Sequence, residues 1–338
     1  MTAPLRLRLD RGGLSANWRW LQAQSGHAAC GAAVKANGYG LGAPEVVQHL
    51  LAAGCRDFFV ATWAEAAEIE PILPQDASLS VLHGVREEDI AQAMASRARP
   101  VLNTAQQVAR WRPTGKPCDV MLDTGMNRLG LAPGEDLSGL KIHTLMSHLA
   151  SADEDVPQNM QQLDLFQSAA ATVPAQRLSL ANSAGICLGA AYHFGLTRPG
   201  LALYGGIPRG EAVGAIQPVV GLEAQVLQRR VLPIGQSIGY NATYTADRAL
   251  EVAIVNIGYA DGYVRGFSGR GTAGGGRLPV LGRVSMDLVA LDVSATPDIA
   301  EGDWLSIDFH LPDAARQSGL SQYELLTLLG HRFDRIWA

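Results

Sequence analysis

The sequence is short of charge. Asp, Glu, Lys and Arg make up 17% of its 338 residues, against the ~25% of an ordinary globular chain. The net charge is −5 and no basic block occurs, so nothing supports a nucleic-acid footprint. The N-terminus, MTAPLRLRLD, has no apolar core of a secretory signal. Residues 178–197 lack all four charged types. Asn182, Ser183, His193 and interrupting glycines nevertheless argue against a membrane span. The four cysteines, Cys30, Cys55, Cys118 and Cys187, are widely spaced and form no CxxC pair. His143 and His148 do not make HExxH. No zinc site is expected, and the thiols read as small buried side chains in a reducing compartment, the cytosol.

Apolar residues, at 47%, are plentiful, and the length suggests two domains. From residue 30 to 205, short Val/Leu/Ile runs alternate with Ala/Glu/Gln segments of helical period. Strands are expected at 31–35, 57–61, 78–82, 99–102, 118–123, 142–147, 177–181 and 194–198. Helices are expected at 63–70, 86–97, 104–111 and 158–172. That alternation predicts a (β/α)8 barrel over residues 1–215, with an open doubly wound sheet as the alternative. Barrel chemistry sits at the C-terminal ends of strands. Lys35, His83, Asn103, Arg128, His148, Asn182, Ser183 and Arg198 occupy those places.

From residue 216 to 338 the texture changes. β-branched stretches at 249–257 and 278–293, separated by Gly-rich turns, predict a mostly antiparallel β domain, to which the first ~10 residues could also pair. One helix is expected to close it, with Ser321 and Glu324 as a capping box and Gly330 as the stop. Gly269-Arg270-Gly271-Thr272-Ala273-Gly274 fits GxGxxG literally. No clear strand precedes it and no helix follows, so it reads as a hairpin loop, not a dinucleotide site.

Lys35 follows the apolar Ala32-Ala33-Val34. A lysine at a strand end can be an ion-pair partner or a cation at the rim. It can also be a Schiff-base lysine, because desolvation favours the neutral amine that attacks an aldehyde such as that of pyridoxal phosphate. The phosphate then needs donors. In barrels it commonly sits at the loops after strands seven and eight, here Asn182-Ser183-Ala184-Gly185 and Arg198-Pro199-Gly200-Leu201. A serine hydroxyl and glycine-flanked amides suit it.

At this point the chain resembles the alanine racemases, pyridoxal-phosphate enzymes of fold type III. The resemblance runs nearly end to end: AVKANGYG (33–40), DTGMNRLG (123–130), SHLASAD (147–153), ANSAG (181–185), RPGLALYG (198–205), IGYNATYTA (238–246), IGYADGY (257–263) and GRVSMD (282–287). It implies that Lys35 carries the cofactor and acts as the base toward D-alanine. Tyr240 of the partner subunit in a homodimer is then the base toward L-alanine, and removal and return of the Cα proton from opposite faces is racemisation. It implies that Arg198 faces the ring nitrogen, where a guanidinium can only donate, and that His148 supports it. Tyr39, Asn182, Ser183, Gly200 and Leu201 are implied to hold the cofactor and its phosphate. Arg128 is implied to contact the phenolic oxygen and the substrate carboxylate, and the partner's Met286 to offer its backbone N–H to that carboxylate, with Asp287 beside it. Asp153, Tyr259, Arg265 and Arg283 map to a narrow polar access corridor.

The chain departs from the pattern twice. Many relatives carry a carbamylated lysine seven residues before the DTGM arginine, where this chain has Met121. Many place a tyrosine before an arginine at an inner gate, where GHRFDR here places His331, for which a polar gate role is expected. The implied activity is interconversion of L- and D-alanine for peptidoglycan. A serine or broader racemase and a non-catalytic pyridoxal-phosphate protein are the alternatives. The latter is disfavoured by residues 216–338. A fold-type III decarboxylase is disfavoured because Ser285-Met286 brings no cysteine.

Overall fold

A computed structural model describes residues 3–338. The chain forms two compact units. One comprises Leu14–Leu203 and Ile207–Gln217; the other comprises the residues up to Gly13, Tyr204–Gly206 and Pro218–Ala338. Strand β1 (Leu5–Leu9) belongs to the second.

The first unit is built on β2 (Ala29–Cys30), β3 (Ala32–Ala33), β4 (Asp57–Val60), β5 (Ser78–Val81), β6 (Arg99–Leu102), β7 (Pro117–Met121), β8 (Lys141–Met146), β9 (Arg177–Ser179) and β10 (Leu196–Thr197). Strands β3 to β9 pair in parallel, in chain order. Strands β2 and β3 are one segment broken at Gly31. Its inner half pairs with β4, and β2 pairs in parallel with β10. The Gly31 amide donates to Thr197 O at 2.9 Å, and the Gly195 amide to Leu178 O at 3.1 Å. The sheet therefore closes on itself as a (β/α)8 barrel. The strands are short apolar runs because helices cover them outside and packed side chains fill them inside.

The helices that surround the barrel include Ala43–Ala53, Trp63–Ile69, Ala105–Trp111 and Pro157–Ala170. Thr62 and Thr104 start two of them by accepting the amides of Glu65 and Gln107 at 3.3 and 3.1 Å. The helix expected over 86–97 is only Ile90–Ala95. Asp89 turns back to accept the Arg86 amide at 3.0 Å and guanidinium at 2.7 Å, which makes 86–89 a turn. Ser96 is extended, and the Arg97 amide leaves for Glu70. Inside the barrel, Asp57 pairs with Arg177, and Asp119 accepts from Ser80 (2.6 Å), the Thr144 amide (2.9 Å) and Arg99 (3.2 Å).

The second unit adds β11 (Val220–Leu232), β12 (Ser237–Ile238), β13 (Tyr244–Thr245), β14 (Leu250–Val255), β15 (Thr272–Ala273), β16 (Leu278–Leu281), β17 (Val289–Asp292), β18 (Trp304–Ile307) and β19 (Asp334–Trp337). Strand β11 organises it. Its first half pairs antiparallel with β1 and β18, and past an irregularity at Val226–Gln228 it pairs with β14. The sheet order is β14-β17-β16-β15-β18-β11-β1-β19. The long stretch 278–293 is thus two strands with a loop between them. The GxGxxG segment lies in the β15–β16 hairpin, where Asp308 accepts the Gly275 and Gly276 amides at 3.0 and 2.7 Å. Within the motif itself the Gly271 and Gly274 amides donate to Phe267 O and Ser306 O, both at 2.8 Å, so neither is left for a phosphate.

Two helices close this unit, Leu311–Ser318 and Gln322–Thr327, where one was expected. The capping box of Ser321 and Glu324 is present, but the helix ends at Leu328 in right-handed conformation. Gly330 is not its stop; the Gly330 amide donates to Asp261 O.

Candidate active site

The chain has three lysines, Lys35, Lys116 and Lys141. Lys116 donates to Met94 O, and Lys141 is exposed. Only Lys35 enters the barrel mouth. Val34 is fully buried, and its amide makes a sheet bond to Phe59 O at 2.9 Å. Lys35 follows at once, half-buried. Burial first, and the Arg128 cation second, hold its ammonium below the ordinary lysine value, while Glu65 opposes them.

After Lys35 the backbone turns left-handed. Ala36, Asn37, Gly38 and Tyr39 all have positive φ, 53°, 54°, 61° and 54°. Each non-glycine residue there costs about 1 kcal/mol or more. Bonds from outside the turn hold it: the Ala36 amide donates to Glu65 Oε1 at 2.7 Å, and Asn37 Oδ1 accepts the Ala43 amide at 2.9 Å. Tyr39 is thereby turned in and buried.

Arg128 stands on the turn after β7. Burial raises the Asp123 carboxyl, but amides of Gly125, Asn127 and Met126 donating to Oδ1 hold it below its ordinary value. That nest shapes the turn. The Arg128 side chain is exposed and has no hydrogen bond or ion pair among the described residues. Met121 is buried on β7 and offers no charge to orient it. His148 follows β8. Desolvation, then Arg198, Arg128 and Lys35, push it down to about 3, so it is a neutral imidazole at working pH.

Arg198, just past β10, is buried. Its guanidinium donates to Ser147 O at 2.6 Å and to Ser179 Oγ. Burial lowers it to about 10, against the Asp119 carboxylate, so it stays charged. Beside it, Ser183 Oγ accepts the amides of Gly200 (2.9 Å) and Ala202 (3.2 Å). With both acceptor positions used, its hydroxyl proton remains to be donated. A Cβ at Gly200 would stand 2.2 Å from Tyr39 Oη, so only glycine lets the backbone come this close. Leu201 is buried next to it. Asn182 Oδ1 caps the following turn by accepting the Gly185 amide at 2.8 Å. Asp153 is exposed on the turn after residue 150.

The barrel mouth thus gathers Lys35, Arg128, His148 and Arg198, against two acidic groups in electrostatic reach, Glu65 and Asp119. Its donor set fits an anionic ligand with a phosphate at Ser183 and Gly200 and an aldehyde at Lys35. Among the described residues no group of His, Cys, Asp and Glu could hold a metal, and no helix is long and apolar enough to cross a membrane.

The second unit brings its own predicted residues together. Tyr240 is 62% exposed on the turn after Gly239, and Met286 is 52% exposed. A Cβ on Gly282 would meet Ile238 O at 2.8 Å, so the Tyr240 turn lies against the loop that carries Arg283 and Met286. The Tyr259 and Ala260 amides donate to Ser285 O and Met286 O, both at 3.0 Å. The Arg265 guanidinium lies 5.1 Å over the Tyr259 ring. His331 is exposed. Arg332, which the sequence did not single out, joins the buried Asp261 to Asp287. Glu65 was also missed, although Thr62-Trp63-Ala64-Glu65 is a capping box in sequence.

Comparison with known proteins matches residues 9–208 to the family described as alanine racemase, N-terminal domain, and residues 219–337 to alanine racemase, C-terminal domain. An alanine racemase of Methylobacterium nodulans is 42% identical, over 98% of this chain and 95% of that protein. A catabolic alanine racemase of Agrobacterium fabrum is 41% identical, over 97% and 91%. Among solved structures, the alanine racemase of Bartonella henselae with covalently bound pyridoxal phosphate superposes with a TM-score of 0.92 at 34% identity, covering 99% of each chain.

Proposed function

The chain belongs to the alanine racemase family, and from that premise we propose how its residues interconvert L- and D-alanine. It is a pyridoxal-phosphate enzyme. When bound, the cofactor supplies an aldehyde for amino groups and a ring that stabilises negative charge at Cα. The observation that carries the reading is the half-buried Lys35, with its lowered ammonium, inside a cationic mouth.

Lys35 holds the cofactor and moves the Cα proton on the D face. Tyr240 of the partner subunit moves it on the L face. Ser183, Tyr39 and the amide-rich Gly200–Leu201 turn hold the phosphate, and Asn182 shapes the turn that presents Ser183. Arg198 would donate to the ring nitrogen without giving up a proton, which would leave the ring a modest electron sink and limit side reactions. His148, neutral, packs beside Arg198 without adding a competing cation. Arg128 would hold the phenolic oxygen and the substrate carboxylate, to which the partner's Met286 would donate its backbone N–H, with the partner's Asp287 beside it. Asp153, Tyr259, Arg265, Arg283 and His331 restrict access to small amino acids. The exposure of Tyr240 and Met286 supports a homodimer with shared sites, since a base at the surface of its own unit serves a neighbour. The product serves peptidoglycan synthesis.

Mixing two inactive variants tests this reading. Lys35→Ala and Tyr240→Phe are each expected to lack racemisation. Refolded together, half the dimers pair unlike chains and carry one intact site. Activity should return to about a quarter of wild type. No recovery, in a mixture shown to contain unlike pairs, rules out shared sites. A circular-dichroism time course with alanine and serine in parallel decides the substrate.

A further inference from the structure

We propose that Glu65 is a positioning residue for Lys35: its carboxylate fixes the backbone immediately after the lysine and so sets the direction in which the lysine leaves its strand. The proposal rests on the reading of Lys35 as the lysine that carries the cofactor.

Glu65 caps the helix Trp63–Ile69, but it accepts two amides more than a cap requires. Oε2 accepts the Thr62 amide at 3.2 Å, the ordinary reciprocal bond of a capping box, and the Ala61 amide at 2.7 Å. Oε1 reaches off the helix to the Ala36 amide, at 2.7 Å. One carboxylate therefore joins the C-terminal ends of β3 and β4 at the barrel mouth. The residue it grips is the first of the four left-handed residues after Lys35. A strained turn persists only where its surroundings over-determine it, and this bond is the one that acts next to the lysine. The titratable groups facing Lys35 among the described residues are the Arg128 cation and the neutral His148 from neighbouring loops and Glu65 itself, the only acid among them. A bond to an ionised carboxylate is stronger than one to a neutral acceptor.

The rival is a helix cap and nothing more. Thr62→Ala separates the two, because it removes the other half of the capping box and leaves the Ala36 bond intact. Wild-type, Glu65→Gln, Glu65→Asp and Thr62→Ala holoenzymes are compared for the rate of cofactor loss on gel filtration and for the pH midpoint of the cofactor's visible band. Glu65→Gln should lose cofactor about tenfold faster, with its midpoint moved down because an anion beside the lysine nitrogen is gone. Glu65→Asp keeps the charge but not the reach, and should lose cofactor faster with the midpoint unmoved. Thr62→Ala should melt lower while matching wild type in both readouts. If Thr62→Ala and the Glu65 variants behave alike, or if Glu65→Gln and Glu65→Asp match wild type, the proposal is overturned. Borohydride reduction of the wild type, with peptide mapping, checks the underlying reading separately. Label on Lys116 or Lys141 instead of Lys35 refutes that reading whatever the Glu65 variants do.

Discussion

Arg332 grips both oxygens of the Asp261 carboxylate, Nε to Oδ1 at 2.6 Å and Nη2 to Oδ2 at 2.7 Å. Asp261 is fully buried, and its Oδ2 also accepts the Gly258 amide at 3.0 Å. The remaining Arg332 nitrogen, Nη1, holds Asp287 Oδ1 at 2.6 Å. Removing the arginine strands a buried charge. Arg332→Ala should destabilise the protein by about 2 kcal/mol, at the low end for a buried pair because Arg332 is 46% exposed. The urea midpoint reads this. KM for alanine should rise more than kcat falls, because the Met286–Asp287 loop loses its tie.

Gly200→Ala should weaken cofactor binding about tenfold, because the new methyl collides with Tyr39 Oη. Tyr39→Phe removes that oxygen. In the double variant the methyl's steric cost should shrink, and fluorescence titration of cofactor-free protein measures all three. If Gly200→Ala costs the same in both backgrounds, the close approach is not the cause.

His148 predicts a pH dependence with a definite sign. Its folded value, about 3, lies below the ordinary 6.5. Above the ordinary value its contribution is fully present. As pH falls from there toward the folded value, the unfolded chain takes up a proton that the folded chain refuses, and stability drops. The depressed carboxyls of Asp57 and Asp119 act lower, below their ordinary 3.8. His148→Gln should therefore flatten the stability curve of cofactor-free protein between about pH 6.5 and 4.5. An unchanged slope would place the histidine in water.

Tyr240→Phe should separate the two faces of Cα. In deuterated buffer, exchange of the D-alanine α proton through Lys35 should survive. Exchange from L-alanine should fall by about a hundredfold or more. Proton NMR follows both, and an equal loss from both isomers counts against opposed bases.

Most of the barrel could be read from sequence, because parallel strands covered on both sides are short apolar runs and their far ends are polar. The helix Ala43–Ala53 went unread, since Val46, Val47, Leu50 and Leu51 after Pro44 resemble a strand as much as a helix face. The last helix ends before Gly330, because that glycine serves contact with Asp261 and not a helix stop, a role no local pattern announces. At the site, Lys35, Arg128 and Arg198 stand out by the motifs around them. Arg332 does not, because its partners lie 71 and 45 residues away and no local pattern announces them. Glu65 carried a local signal, but its bond to Ala36, 29 residues earlier, is a product of the fold.

The break at Gly31 has a consequence for the order of events during synthesis. The segment that ends in Lys35 is the barrel's seam, bonded on one side to β4 and on the other to β10, 167 residues downstream at Ala29↔Leu196. A ribosome-bound chain that has not yet emitted residues 196–202 has one open edge beside its lysine and lacks Arg198, Gly200 and Leu201. A nascent chain stopped before residue 196 should therefore be colourless with pyridoxal phosphate, and colour should appear only once the last barrel strand has arrived. Acquisition of the cofactor then reports completion of the barrel.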